Sequence, residues 1–97
     1  MPALNDVYAP APQVASRESE GELVVVLPEQ GKYIVLNRTG AEVFQLMDGQ
    51  RTLGEIAVAV SERHDVLLEQ VQADVLALVE KLLDRGLVLE PQKWRKN

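Results

Sequence analysis

The sequence predicts a small α+β domain in which an antiparallel three-stranded meander precedes three helices, an arrangement resembling winged helix-turn-helix folds. Two observations support this fold class. Short β-branched runs bounded by turn residues occupy the first third of the chain, and capped segments of helical periodicity occupy most of the rest. Because 97 residues are enough for one modest core, we expect one domain over residues 13–90.

The strand region contains two strong signals and one weak signal. Residues 22–27 form a β-branched run that stops at Pro28, which cannot donate to a strand ladder. Residues 29–31 predict a turn into a second apolar run over residues 32–36. Residues 14–17 are the weaker candidate for a third strand. A sheet this small requires a layer packed on one face to be stable.

The first helix has two candidate start signals. Thr39 and Glu42 have capping-box spacing, and Asn37 is a rival cap two residues earlier. The helix is expected to run to about Met47, because the Asp48-Gly49 pair is typical of a helix stop.

The second and third helices have clearer boundaries. Thr52 and Glu55 form a second capping box, which predicts a helix that ends near His64. The third helix is expected over residues 68–85, with Gly86 where a left-handed residue is favoured. A short strand or apolar cap is expected over residues 87–89.

The third helix is apolar over an arc of roughly 160°, wider than the ~100° needed to face one core. Periodicity leaves two interpretations open. The helix is either buried on two sides or lines a groove that accepts a partner. The residues of this arc are Leu68, Val71, Val75, Leu76, Leu78, Val79, Leu82 and Leu83.

The two ends of the chain are expected to lie outside the domain. Residues 1–12 hold three of the five prolines and predict a flexible N-terminal arm. Residues 91–97 include Lys93, Arg95 and Lys96 and predict a basic tail. The N-terminus lacks a basic residue leading into an apolar stretch, and no apolar run is longer than five residues. We therefore expect no membrane span and a cytoplasmic location.

The charge pattern argues against nucleic-acid binding. The net charge is −5, and residues 1–90 alone carry −8. Such an acidic body repels phosphate groups. The third helix, the candidate for reading bases, has four acidic and two basic residues. A DNA-binding winged-helix regulator is therefore a disfavoured alternative.

The sequence also lacks recognisable catalytic or metal-binding patterns. No cysteine is present, and His64 is the single histidine. Asp65 could orient this imidazole, but none of the three serines lies in a nucleophile-elbow pattern. The glycines occur singly, so no phosphate-binding loop is formed. We expect a protein that is not an enzyme and needs neither cofactor nor metal.

Binding to another polypeptide is the remaining hypothesis. If residues 32–36 form an edge strand, their free N–H and C=O groups can pair with an extended peptide, with the broad third helix as the opposite wall. The alternative is that Tyr33 and Val35 simply complete the core.

The motifs of this chain resemble those of the PqqD-like family over about residues 14–89. The resemblance implies a strand-first winged-helix domain that performs no chemistry and binds a leader peptide as an added strand. It rests on an ordered set of short motifs: Gly31-Lys32-Tyr33-Ile34-Val35-Leu36-Asn37-Arg38-Thr39-Gly40, Asp48-Gly49, Arg51-Thr52-Leu53, Glu55-Ile56, Asp74-Val75, and Leu82 with Arg85-Gly86-Leu87-Val88.

Family members are recognition elements for the leaders of ribosomally made, modified peptides, and they present the precursor to a separate enzyme. The resemblance is strongest to the stand-alone elements of lasso-peptide pathways, where the enzyme is a leader peptidase. A peptide chaperone of pyrroloquinoline quinone synthesis, acting beside a radical enzyme, is the alternative. The contact residues implied by position are Tyr33, Ile34, Val35 and Leu36 on the strand, and Val71, Asp74, Val75, Leu78, Lys81 and Arg85 on the third helix.

Two features depart from the family pattern. Leu67 stands before the third helix, where a polar cap is usual, so the start of that helix is less well defined by sequence. The basic tail with Trp94 also lies outside the shared motifs. Asn37 and Thr39 are interpreted as helix caps rather than peptide contacts.

Overall fold

A computed structural model describes residues 1–91 and confirms the α+β class, with a three-stranded antiparallel sheet followed by three helices. The predicted tail, residues 91–97 with Trp94, lies outside the described residues except for Pro91. The elements are β1 (Ala9–Pro10), β2 (Ala15–Ser19), β3 (Glu22–Leu27), β4 (Lys32–Leu36), α1 (Arg38–Leu46), α2 (Leu53–His64), α3 (Leu68–Asp84) and β5 (Val88–Leu89).

The sheet has the order β2-β3-β4, with β3 in the centre. Val25 lies opposite Ser16 of β2 and Ile34 of β4. The inward residues Leu23, Val25 and Leu27 are buried, as the alternation of an amphipathic strand requires. Because β4 pairs only with β3, its other edge has no strand partner within residues 1–91.

The N-terminal residues do not form the expected separate arm. The β1 strand pairs antiparallel with β5, and the Tyr8 side chain is only 4% exposed. The Leu53 N–H donates to the Asp6 carbonyl at 2.9 Å, and the Gly54 N–H donates to the Leu4 carbonyl at 2.7 Å. The prediction failed because the residues between the prolines keep their backbone groups, and the Leu4 and Asp6 carbonyls accept from N–H groups at the start of α2 that have no partner within the helix.

The rival caps of α1 are resolved in favour of Asn37. Its side-chain oxygen accepts from the Gly40 N–H at 2.8 Å, which places Thr39 inside the helix and excludes Thr39 as the N-cap. The capping box of α2 is confirmed, since Thr52 Oγ1 accepts from the Glu55 N–H at 3.1 Å and Glu55 accepts from the Thr52 N–H at 2.9 Å.

The third helix begins without a side-chain cap at Leu67, as its sequence predicts, and ends one residue earlier than expected. Gly86 follows with φ of 69°, the left-handed conformation that glycine adopts without strain. The buried residues of α3 share one core with α2 and the inner face of the sheet. The core residues of α3 are Val71, Val75, Val79 and Leu82.

Within residues 1–91, no helix is both long and apolar enough to cross a lipid bilayer.

Candidate functional site

A groove of about 850 Å³ lies between β4 and α3. We call it the β4–α3 groove. Residues at the start of α1 and in the second half of α2 also line the groove. Its lining residues are Ile34, Val35, Leu36, Asn37, Thr39, Gly40, Val43, Val60, His64, Val66, Val71, Asp74, Val75, Ala77, Leu78, Lys81 and Arg85.

The β4 wall combines apolar side chains with an unpaired backbone edge. Leu36 is buried and Ile34 is half-buried, because these residues occupy the inward face of the strand. Tyr33 and Val35 point the other way and are 61% and 49% exposed. The alternative in which Tyr33 and Val35 complete the core is therefore wrong. The strand pairs with β3 on one side, and the N–H and C=O groups on its other side have no strand partner within residues 1–91.

The α3 wall changes character along its length. Val71 and Val75 are buried and form its apolar base, and Leu78 is half-buried. Lys81 and Arg85 are exposed near the end of the helix. Part of the wide apolar arc of α3 thus fills the core and part lines a groove, which agrees with the second of the two interpretations and not with burial on two sides.

A second cavity of about 620 Å³ lies at the end of α3. It brings Lys32 and Tyr33, at the start of β4, together with Asp84 and Arg85. Because Arg85 also lines the β4–α3 groove, the two cavities adjoin. The start of β4 therefore lies beside the end of α3, and the two elements run in opposite directions along the groove.

The ten residues assigned by resemblance fall in one region of the molecule. Nine of them line the β4–α3 groove, and Tyr33 lines the adjoining cavity. Their role as peptide contacts stays a prediction, whereas their placement around one opening is a geometric finding.

Eight other lining residues were not predicted as peptide contacts, and two of them, Val66 and His64, bear on function. Val66, in the turn between α2 and α3, is 43% exposed and lines the groove. His64 also lines it, and its Nε2 lies 2.5 Å from Glu42 Oε1. The signal for Val66 was available, because it begins the apolar run Val66-Leu67-Leu68, and contiguous exposed apolar residues mark interaction sites. His64 was set aside as a helix-end residue, since sequence alone could not place Glu42 next to it.

The polar groups around His64 are arranged as surface ion pairs. Glu42 also forms an ion pair with Arg63, with Nε and Oε2 separated by 3.0 Å. The Ser61 hydroxyl donates to the Val66 carbonyl at 2.6 Å, so it is directed away from the imidazole. No group of three or more potential metal ligands occurs in the described part of the chain. The groove therefore combines an apolar wall from α3 with the outer edge of β4, which has no strand partner within residues 1–91.

Comparison with known proteins gives a consistent family and fold. Residues 22–88 match the family described as coenzyme PQQ synthesis protein D (PqqD). The chain is 26% identical over 70 residues to the PqqA binding protein of Bradyrhizobium diazoefficiens. That match covers 72% of this chain and 66% of the relative, so the chain spans slightly less than two thirds of the relative's length.

Three solved structures share the fold. The PqqD truncation of Methylobacterium extorquens PqqCD, a stand-alone recognition element, has a TM-score of 0.79 at 23% identity, covering 92% of this chain and 95% of that one. Lasso peptide synthetase B1 with its leader peptide has a TM-score of 0.74 at 22% identity, covering 84% and 96%. TbiB1 with the TbiA(beta) leader peptide has a TM-score of 0.73 at 21% identity, covering 82% and 93%.

Proposed function

This chain belongs to the PqqD family, and we propose that it captures the leader segment of a precursor peptide as an added β-strand in the β4–α3 groove. The observation that carries this proposal is the unpaired edge of β4 beside the apolar side of α3. An extended peptide would satisfy the free backbone groups of the edge, and its alternate side chains would enter the groove.

The residues of the groove suit this role in two ways. Backbone pairing gives affinity that does not depend on sequence, and each hydrogen bond contributes about 1 kcal/mol net. Specificity comes from the side chains, because half-buried Leu78 and Ile34 leave apolar surface that a leader side chain can cover. Two of the three similar structures contain a leader peptide, which supports the same kind of ligand here.

We propose that the chain performs no chemistry and delivers the bound precursor to a separate modifying enzyme, either a leader peptidase or a radical enzyme. The placement of His64 supports this role, because its imidazole contacts Glu42 and the Ser61 hydroxyl is bonded elsewhere. Because the precursor is made by ribosomes, the proposed site of action is the cytoplasm.

Presentation of a PqqA-type peptide in pyrroloquinoline quinone synthesis is the second candidate. The relative described as a PqqA binding protein favours it. The binding unit in either case includes the N-terminal segment, since β1 and Tyr8 are packed against the rest of the domain.

A titration with labelled leader peptides of lasso type and of PqqA type tests this function and separates the two candidates. We expect saturable binding of one type. Leu78→Glu should weaken that binding at least about tenfold, because it places an uncompensated charge among apolar contacts. Val75 is unsuitable for this test, because it is 1% exposed and a charge there would unfold the domain.

Leu83→Glu is the matched control, since Leu83 is on the same helix, is 37% exposed and lines neither cavity. Equal affinities of the two variants would exclude this groove as the binding site. Binding of duplex DNA with a steep dependence on salt, in place of peptide binding, would instead favour a regulator.

A further inference from the structure

Resting on the proposed function, we infer that the β4–α3 groove selects its leader by charge and direction. The preferred segment has an apolar side chain first and an acidic side chain about four or six residues later. The apolar side chain lies near Val66 and Val71, and the acidic side chain lies between Lys81 and Arg85.

The end of the groove near Arg85 is a basic site on an acidic protein. Residues 1–90 contain seven Lys and Arg residues, and three of these, Lys32, Lys81 and Arg85, line the groove or the adjoining cavity. Asp84 is the one acidic residue among the lining residues of that end. Within residues 1–91, none of the three cations forms an ion pair. Unpaired cations at the mouth of an open groove attract an anionic ligand group.

The opposite end of the groove is apolar or acidic. The turn that leads into α3 exposes Val66 at 43%, Leu67 at 79% and Leu68 at 39%. The acidic residue that lines the groove towards this end is Asp74, which accepts from Gln70 Nε2. An acidic leader residue is therefore repelled from this end, whereas an apolar residue covers exposed apolar surface.

The direction of the segment follows from the sheet. Both existing strand pairs are antiparallel, and antiparallel pairs outnumber parallel ones in proteins. A strand added antiparallel to β4 starts beside Leu36 and ends beside Lys32. It therefore passes the apolar end of the groove first and the basic end last.

The spacing follows from helix and strand geometry. Val71 is ten residues before Lys81 and fourteen before Arg85, which corresponds to rises of about 15 and 21 Å along α3. A strand covers these distances in about four to six residues. Alternate side chains of a strand face the same way. A spacing of four or six residues therefore lets both side chains enter the groove, whereas a spacing of five does not.

The test is a selection of randomised peptides of about twelve residues, displayed on phage, against the full chain. We expect enriched sequences to carry an apolar residue followed by Asp or Glu at the stated spacing. Enriched binders without an acidic preference would overturn the charge inference and leave peptide capture intact. An acid that precedes the apolar residue would overturn the direction. A selection that yields no binder, together with failed leader titrations, would overturn both proposals.

A charge exchange then locates the acidic contact. Arg85→Glu should weaken binding of the selected acidic peptide at least about tenfold and should improve binding of the same peptide with Lys in place of its acid. Arg17→Glu is the matched control, because it changes the net charge equally and lines neither cavity. Lys81→Glu, within α3, should weaken binding of the acidic peptide in the same way. Equal effects of Arg17→Glu and Arg85→Glu would show that only the overall charge matters.

Discussion

Two strand edges that flank the helices of this small domain, those of β5 and β4, differ in whether the chain itself covers them. At the β5 edge, residues of β1 pair with Val88 and Leu89, so the chain supplies its own added strand. On the side of β4 that faces away from β3, Lys32–Leu36 have no strand partner within residues 1–91. Next to the covered edge, Tyr8 precedes β1 and is buried in the core. The β4 edge instead faces a groove of about 850 Å³.

The difference shows how one fold can protect one edge and offer another. An exposed edge strand invites pairing with any extended chain, so proteins usually cover it. Here the N-terminal segment covers the edge of β5. Its carbonyls also accept from the Gly49, Leu53 and Gly54 N–H groups, around the start of α2. The β4 edge is short and adjoins charged groups such as Lys81, which restricts the peptides that can pair with it.

The largest expected effect is a loss of stability when the N-terminal segment that covers the β5 edge is weakened. Tyr8→Ala should lower the free energy of unfolding by about 3 kcal/mol, because it removes a buried aromatic side chain. Chemical denaturation followed by circular dichroism measures this change. Tyr33→Ala, at the open edge, should change stability by less than about 0.5 kcal/mol. Similar losses at both positions would show that the two edges do not differ as described.

Most of the fold could be predicted from local sequence signals. The boundaries of β3, β4 and α2 agree with the predicted ones, because Pro28, Gly31 and the Thr52 capping box mark them by local chemistry. The choice between Asn37 and Thr39 as the cap of α1 could not be made, since both satisfy the local rules, and only the structure shows that Asn37 accepts from the Gly40 N–H.

Long-range contacts were the part that sequence could not provide. The pairing of residues 9–10 with β5 joins positions 78 to 80 residues apart, and the proline-rich composition favoured a free arm instead. The contact between His64 and Glu42 and the opening beside β4 also depend on tertiary packing. The groove walls were nevertheless assignable by family resemblance, because the motifs of β4 and α3 are local.

A moderate effect is expected from blocking backbone pairing at the open edge. A single N-methyl group on a leader peptide should weaken binding only when it is placed at every second position, because only alternate amides of an added strand point towards β4. Each effective methyl group should reduce affinity by roughly fivefold, the equivalent of one lost hydrogen bond of about 1 kcal/mol. Isothermal titration gives the affinities. A uniform response along the peptide would contradict strand addition, even if the peptide occupied the groove.

The smallest effect at neutral pH is expected from Tyr8→Phe, which keeps the ring and removes the hydroxyl group. Burial, with the nearby Asp6 and Glu90 carboxylates, raises the pKa of Tyr8 to about 12. The neutral phenol is therefore favoured in the folded state. Its contribution to stability is complete below pH 10 and decreases as the pH rises from 10 to 12, because only the unfolded chain then releases the proton.

The phenylalanine variant lacks this ionisation, so it should lose less stability than the parent protein over that range. Denaturation midpoints measured from pH 7 to about 12 compare the two proteins, and Tyr33→Phe controls for the exposed phenol. Parallel curves for Tyr8→Phe and the parent would mean that the hydroxyl group of Tyr8 reaches water. The N-terminal segment would then lie loosely on its edge, and the contrast between a covered and an open edge would be weaker.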